Sequence, residues 1–116
     1  MKNWIATFVI ASAMSTSAFA ADCGEPPVDQ PAVPDGASAT QATIRAARDS
    51  VVAYSTKVDE YLQCMDKRAS AVVPYLTKEQ KVRWDEDLAG LHEKRRDLQT
   101  KMNEAIRAYR NAIRKK

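Results

Sequence analysis

The sequence predicts an all-α protein: two long antiparallel helices forming a coiled-coil-like hairpin, with an extended Pro-rich N-terminal arm tethered to it by a disulfide. Three observations carry this prediction. Two long segments, 38–73 and 78–114, repeat apolar residues every three or four positions and are parted by a short break at Pro74. The stretch before them, ADCGEPPVDQPAVPDG at 21–36, holds four of the five prolines, four acids and no base. The only two cysteines are Cys23 in that stretch and Cys64 in the first periodic segment.

The chain opens MKNWIATFVIASAMSTSAFA, with Lys2, an apolar run from Trp4 to Met14, and small residues ending in Ala18-Phe19-Ala20. Charge, short apolar run and A-x-A site in that order make up a secretory signal peptide. The run of about 11 residues falls short of the ~20 that a membrane-spanning helix needs. Residues 1–20 are therefore read as a signal peptide cleaved near Ala20, with cleavage after Ala21 as the alternative. The protein is expected to be periplasmic or secreted. Asp22, directly before Cys23, is the wrong residue for a lipoprotein signal, so Cys23 is expected to remain a thiol or a disulfide. The rest divides into an acidic arm at 21–37 and a helical hairpin at 38–116.

An exported chain meets an oxidising compartment, where two cysteines pair more often than they stay free. A bridge within one chain joins Cys23 to Cys64; the alternative is an intermolecular bridge that makes a covalent homodimer. The internal bridge closes a loop of about 42 residues, a constraint on the order of 4 kcal/mol in the chain-entropy picture. Reach permits it. Cys64 lies about 26 residues into the first helix, roughly 39 Å at 1.5 Å per residue. The 15 steps from Cys23 to Ser38 extend up to about 50 Å, and proline-rich sequence favours extended backbone. The arm is thus expected to run back along the hairpin, with Val28, Val33 and the prolines over the groove between the helices. The alternative is a free tail.

The first helix is expected over about 38–72. Ser38 and Gln41 have capping-box spacing. Ile44, Ala47, Val51, Tyr54, Val58, Tyr61, Met65 and Val72 then form one stripe with a 3.5-residue repeat, interrupted by Arg68. Pro74 lacks an N–H and biases Val73 away from the helical region, which ends the helix. Thr77 and Gln80 repeat the capping-box spacing, and Glu79 suits the positive end of the helix dipole. The second helix is expected over about 78–114. Its stripe is Trp84, Leu88, Leu91, Leu98, Met102, Ala105, Tyr109 and Ala112, interrupted by Arg95 and widened by Ile106 and Ile113. A short connection between two such helices makes an antiparallel hairpin. Folding about the turn sets Met65 against Leu88, Tyr54 against Leu98 and Val51 against Met102. It also sets Arg68 beside Trp84 and Asp85, and leaves Arg95 near Lys57 and Val58 without an obvious partner, free to snorkel to solvent.

The chemistry is sparse. His92 is the only histidine, and no cluster has metal-ligand spacing. Asp85, Glu86 and Asp87 are consecutive and diverge around a helix, so they do not form a carboxylate pair. No Ser-His-Asp arrangement, P-loop or glycine-rich phosphate cradle occurs. Neither an enzyme nor a cofactor is expected. Tyr54 and Tyr61 lie on the stripe as core residues rather than a binding platform. Gly90, inside the second helix, costs about 1 kcal/mol against Ala, and marks either a close approach by the arm or a flex point. The formal charge is +3; without Lys2, 17 bases face 15 acids, a balance of +2. Such a balance is too small for a nucleic-acid binder. Its distribution is uneven, with six bases and one acid in residues 98–116. Arg107, Arg110, Arg114, Lys115 and Lys116 are the candidate contacts to an anionic envelope surface or to the acidic arm.

Leu76-Thr77-Lys78-Glu79-Gln80 resembles the LTxxQ pattern of small periplasmic proteins of the stress-induced chaperone type. In overall form the chain is similar to uncharacterised small periplasmic helical-hairpin proteins of proteobacteria. The shared features are a Cys- and Pro-rich leader, Pro34-Asp35-Gly36 before the first helix, and Tyr61-Leu62-x-Cys64 within it. The first resemblance implies a holdase; the second implies form and address but no activity. The expected function is that of a non-catalytic secreted or periplasmic envelope protein acting through helix-mediated protein interaction. Its partner would be an envelope protein not named by the sequence, or a second copy. The alternatives are a holdase-like chaperone and a binder of anionic envelope components through the basic tail. The leader makes the first testable point. Intact-mass measurement of protein recovered from the periplasm should find a chain beginning at Ala21 or Asp22, and neither a full-length nor a lipidated species.

Overall fold

A computed structural model describes residues 23–115; the signal peptide read at 1–20 and Lys116 of the basic tail lie outside the described residues. Helix α1 spans Gln41–Val72, a single 3-10 turn spans Val73–Tyr75, and α2 spans Lys78–Arg114. The two helices pack antiparallel as a hairpin, and Cys23 is bonded to Cys64 with a Cα–Cα distance of 5.6 Å. The cross-link lies within one chain, so the covalent-dimer alternative and the free tail both give way to a laced arm.

Helix α1 starts three residues later than Ser38, and the expected Ser38–Gln41 capping box does not form. Asp35 holds Ser38 back. The Ser38 N–H donates to the Asp35 carbonyl at 3.3 Å, and Asp35 Oδ1 accepts from the Ala37 N–H at 3.1 Å. With Ser38 committed to this turn, Thr40 becomes the cap, its Oγ1 accepting from the Thr43 N–H at 3.1 Å. The turn serves a packing need: Gly36 is buried against the α2 backbone, where a Cβ would fall 2.7 Å from the Ala105 carbonyl carbon.

At the other end Val73 stays helical (φ −54°, ψ −40°) despite the proline after it, against the expectation that Pro74 would push it out. Its carbonyl accepts from Leu76 N–H at 3.1 Å, so the chain tightens into a 3-10 turn instead of breaking at once. The helical path ends where Leu76 and Thr77 become extended. Helix α2 then starts at Lys78 with the expected capping box: Thr77 Oγ1 accepts from Gln80 N–H at 3.2 Å, and Gln80 Oε1 accepts from Thr77 N–H at 3.0 Å.

The core is the expected double stripe. Val58 is fully buried, and Val51, Tyr54, Leu98 and Met102 are nearly so, joined by Ile44, Leu62, Leu91 and Ala105. Ser55 lies opposite Gln99 and Asp59 opposite Arg95, a register one residue from the predicted pairing of Val51 with Met102 and two from that of Tyr54 with Leu98. The arm forms the third layer. Val33 packs on the core, Pro34 lies along Ala42–Ser50, and residues 25–31 lie along Ser50–Lys57. Val28, expected to cover the groove, is instead 73% exposed. The half-buried prolines at 27, 31 and 34 recur near the threefold period of extended polyproline backbone. Val28, one step past Pro27, falls off that inward row.

Two glycines test this packing in opposite directions. Gly36→Ala should lower the melting temperature, because the obstruction at Ala105 is backbone and cannot rotate away. Gly90→Ala should raise stability by about 1 kcal/mol, since nothing lies within 4 Å of the added methyl. Thermal melts of the two variants followed by circular dichroism check both, and a destabilised Gly90→Ala would bring back the close-approach reading of Gly90.

Candidate functional site

The arm covers one flank of the seam and leaves the other open. On α1 the arm lies against Ala46, Ser50, Ala53 and Lys57, whereas the open flank presents Arg48, Val52, Ser55, Thr56 and Asp59. At 100° per residue these rows stand on opposite sides of the Val51–Val58 stripe. The open flank forms a groove of about 380 Å³ with Val51, Met102 and Ile106 along its floor, and Gln99 and Asn103 on the α2 wall. Val52, on its rim, is 56% exposed.

A polar ladder borders this groove. Ser55, the one buried polar residue in the described core, accepts through Oγ from Gln99 Nε2 at 3.2 Å. One turn along, Arg95 forms an ion pair with Asp59. Arg95 was expected to lack a partner, and the structure corrects this: the guanidinium lies one residue beyond Lys57 and Val58, where it meets a carboxylate. Its side chain is 19% exposed and that of Asp59 is 53% exposed. Water screens such a pair, and exposed pairs contribute about 1 kcal/mol or less. Its role is directional, setting helix register beside an apolar seam that has little of its own. Arg95 Nη2 also donates to His92 Nδ1 at 2.8 Å. A guanidinium can only donate, so Nδ1 is the acceptor in this contact.

Arg68, expected beside Asp85, makes no ion pair with it among the described residues. Its charge acts on Tyr61. Burial first, and the Asp87 carboxylate second, push the Tyr61 phenol above its ordinary value, while Arg68 pulls it back. The hydroxyl therefore stays protonated at neutral pH. Tyr54 sits beneath the arm as a core residue, with its hydroxyl buried and unpartnered by protein.

The tail side chains Arg107, Arg110, Arg114 and Lys115 are all exposed. Spacings of three and four put the three arginines on one face of α2. The ion pairs found among the described residues, Arg95–Asp59 and Arg96–Glu93, do not involve them, and no described acid of the arm pairs with them. Among the described residues no group of three or more His, Cys, Asp or Glu side chains could hold a metal ion, and no helix is long and apolar enough to cross a membrane. Sequence reasoning missed the ladder. Its signal was present: Ser55 with Asp59, and Arg95 with Gln99, are i, i+4 pairs flanking the two stripes.

These features define the class of object: a helical hairpin laced on one flank, grooved on the other and basic at one end. Comparisons with protein-family models, with curated proteins and with solved structures returned no match.

The staple makes a direct test of the laced flank. Reducing the Cys23–Cys64 bond should release the arm before the hairpin melts and lower stability by about 2–4 kcal/mol. Limited proteolysis should then cut first within residues 25–34, while hydrogen exchange along both helices stays slow. Uniform loss of protection along both helices would mean that the arm is not a separable layer.

Proposed function

We propose that the protein is a non-catalytic envelope protein that acts by presenting the open flank of its hairpin to a protein partner. The observation that carries this reading is the groove between Val52 and Ile106. It is apolar along its floor and rimmed by hydrogen-bonding side chains. Helix-in-groove recognition uses such a surface, with apolar anchors spaced by three and four. Export through the leader at 1–20 is part of the proposal. It is supported by Lys2, the short apolar run and the Ala18–Ala20 site, and by a disulfide of the kind that oxidising compartments maintain.

The holdase reading has less support. Thr77 and Gln80, which carry the LTxxQ resemblance, are both spent on capping α2, so a helix start accounts for the motif. The basic tail supports a second reading, contact with anionic envelope components, because Arg107, Arg110 and Arg114 share one exposed face.

A photoreactive side chain placed at Val52 should yield one discrete cross-linked adduct in intact cells, and the same group at Arg83 should not. Ile106→Lys should remove the adduct without changing the far-ultraviolet circular dichroism. Equal adducts from both positions would refute the groove; an adduct of twice the chain mass would identify the partner as a second copy. Loss of envelope association with rising salt, together with an unaffected Val52 adduct, would assign the association to the tail.

A further inference from the structure

The hairpin is sealed over only part of its length. Every buried apolar side chain of the described helices lies between Ile44 and Leu62 on α1 or between Leu91 and Ala105 on α2. The described arm begins at Cys23, bonded to Cys64, and past that point the seam residues Met65, Val72, Trp84 and Leu88 are only half-buried. At the tip Tyr75 is 88% exposed and Val82 48%. The nine residues 69–77, ASAVVPYLT, carry no charge. Lys67 and Arg68 precede them, and Lys78, Lys81 and Arg83 follow, five bases against the two acids Asp66 and Glu79.

We propose that this tip is a membrane-contact site, whose ligand is the headgroup and upper acyl layer of a bilayer containing anionic lipid. Tyr75, 88% exposed at the turn and followed by an extended Leu76, is free to meet a flat anionic surface. The sequence of chemistries along the axis matches a membrane boundary. Tyrosine favours the water–lipid interface, where its ring is buried and its hydroxyl stays wet. Lys78 about one turn from it, and Arg68, Lys81 and Arg83 about two turns from it, fall at the level of the anionic headgroups. Apolar groups that enter this region reach about 5–10 Å. Asp85, Glu86 and Asp87 begin about 10 Å along α2 from Lys78, at 1.5 Å per residue, and so stay in water and limit the depth. The site is also preorganised. The 3-10 turn is closed by the Leu76–Val73 hydrogen bond and abuts the Thr77–Gln80 capping box, so little freedom is lost on docking. Because the helices are antiparallel, Arg110 lies about 48 Å away along α2. The tip is therefore independent of the basic tail and leaves the open groove accessible.

The test uses the chain from Ala21 onward with its disulfide intact, so that the apolar leader contributes nothing and Trp84 is the only tryptophan. The probes are vesicles of phosphatidylglycerol with phosphatidylethanolamine, and vesicles of phosphatidylcholine alone. The protein should co-sediment with the first and not the second, with a blue shift of Trp84 emission. Tyr75→Asp, at a position too exposed to disturb the fold, should weaken binding by about tenfold or more. Lys78→Glu with Lys81→Glu should weaken it and flatten its salt dependence. Arg110→Glu with Arg114→Glu should change it by less than about twofold, since those charges lie far beyond a Debye length from the tip. Binding that survives Tyr75→Asp, or that is lost with the tail variant, would overturn the proposal. So would absence of binding to either vesicle, including the case where Tyr75→Asp instead dissociates a dimer on sedimentation.

Discussion

A single seam between two helices cannot exclude water from both sides, and the covering of one side by the arm is the constraint on which the rest of this structure depends. Where the arm lies, the seam is buried: Val58 is fully enclosed, and Tyr54 and Met102 almost so. Past Cys64, beyond the described arm, residues of the same type remain half-exposed. The third layer is one difference and the Arg68 interruption of the stripe is the other; Met65 and Leu88 themselves keep the period. Two fixtures hold that layer. The disulfide restricts how far the arm can depart in the unfolded and partly folded states. The Gly36–Ala105 approach brings the arm's other end against α2, at a distance that only a residue without a Cβ tolerates. Proline between the fixtures keeps the arm extended at low entropic cost.

Covering one flank also determines what the other surfaces can do. The open flank keeps a groove because no described segment fills it, and a polar ladder stands beside its apolar floor. Gln99 relieves the cost of burying Ser55, which would otherwise be an unsatisfied hydroxyl. Arg95 brings a charge close to the seam but meets Asp59 at the edge, where water still reaches the carboxylate. The ladder adds little net energy and much direction: apolar stripes slide past one another cheaply, whereas a hydrogen bond and an ion pair one turn apart do not. The molecule thus has three distinct regions along its length, a basic end, a laced and grooved middle, and an uncharged tip.

Local and periodic features were readable from the chain alone. The 3.5-residue repeats define two helices because side chains at that spacing share a face whatever else surrounds them. Thr77 and Gln80 announce the start of α2 because both partners of the cap lie within one turn. Cys23 and Cys64, as the only two cysteines, gave a pairing that the arm's length permitted. Tertiary structure decided the rest, and the misses share one cause. Ser38 looked as good a cap as Thr40 until Asp35 and Gly36 were drawn into a turn against Ala105. Val28 looked as suited to the groove as Val33 until the pitch of the arm turned it outward. Arg68 and Arg95 exchanged roles because a shift of one residue in register, or a few tens of degrees around a helix, changes which carboxylate is within reach. A helix is determined by neighbours three and four residues away, which the sequence displays. The side of it that stays dry is determined by a segment tens of residues distant, whose position only the folded chain establishes.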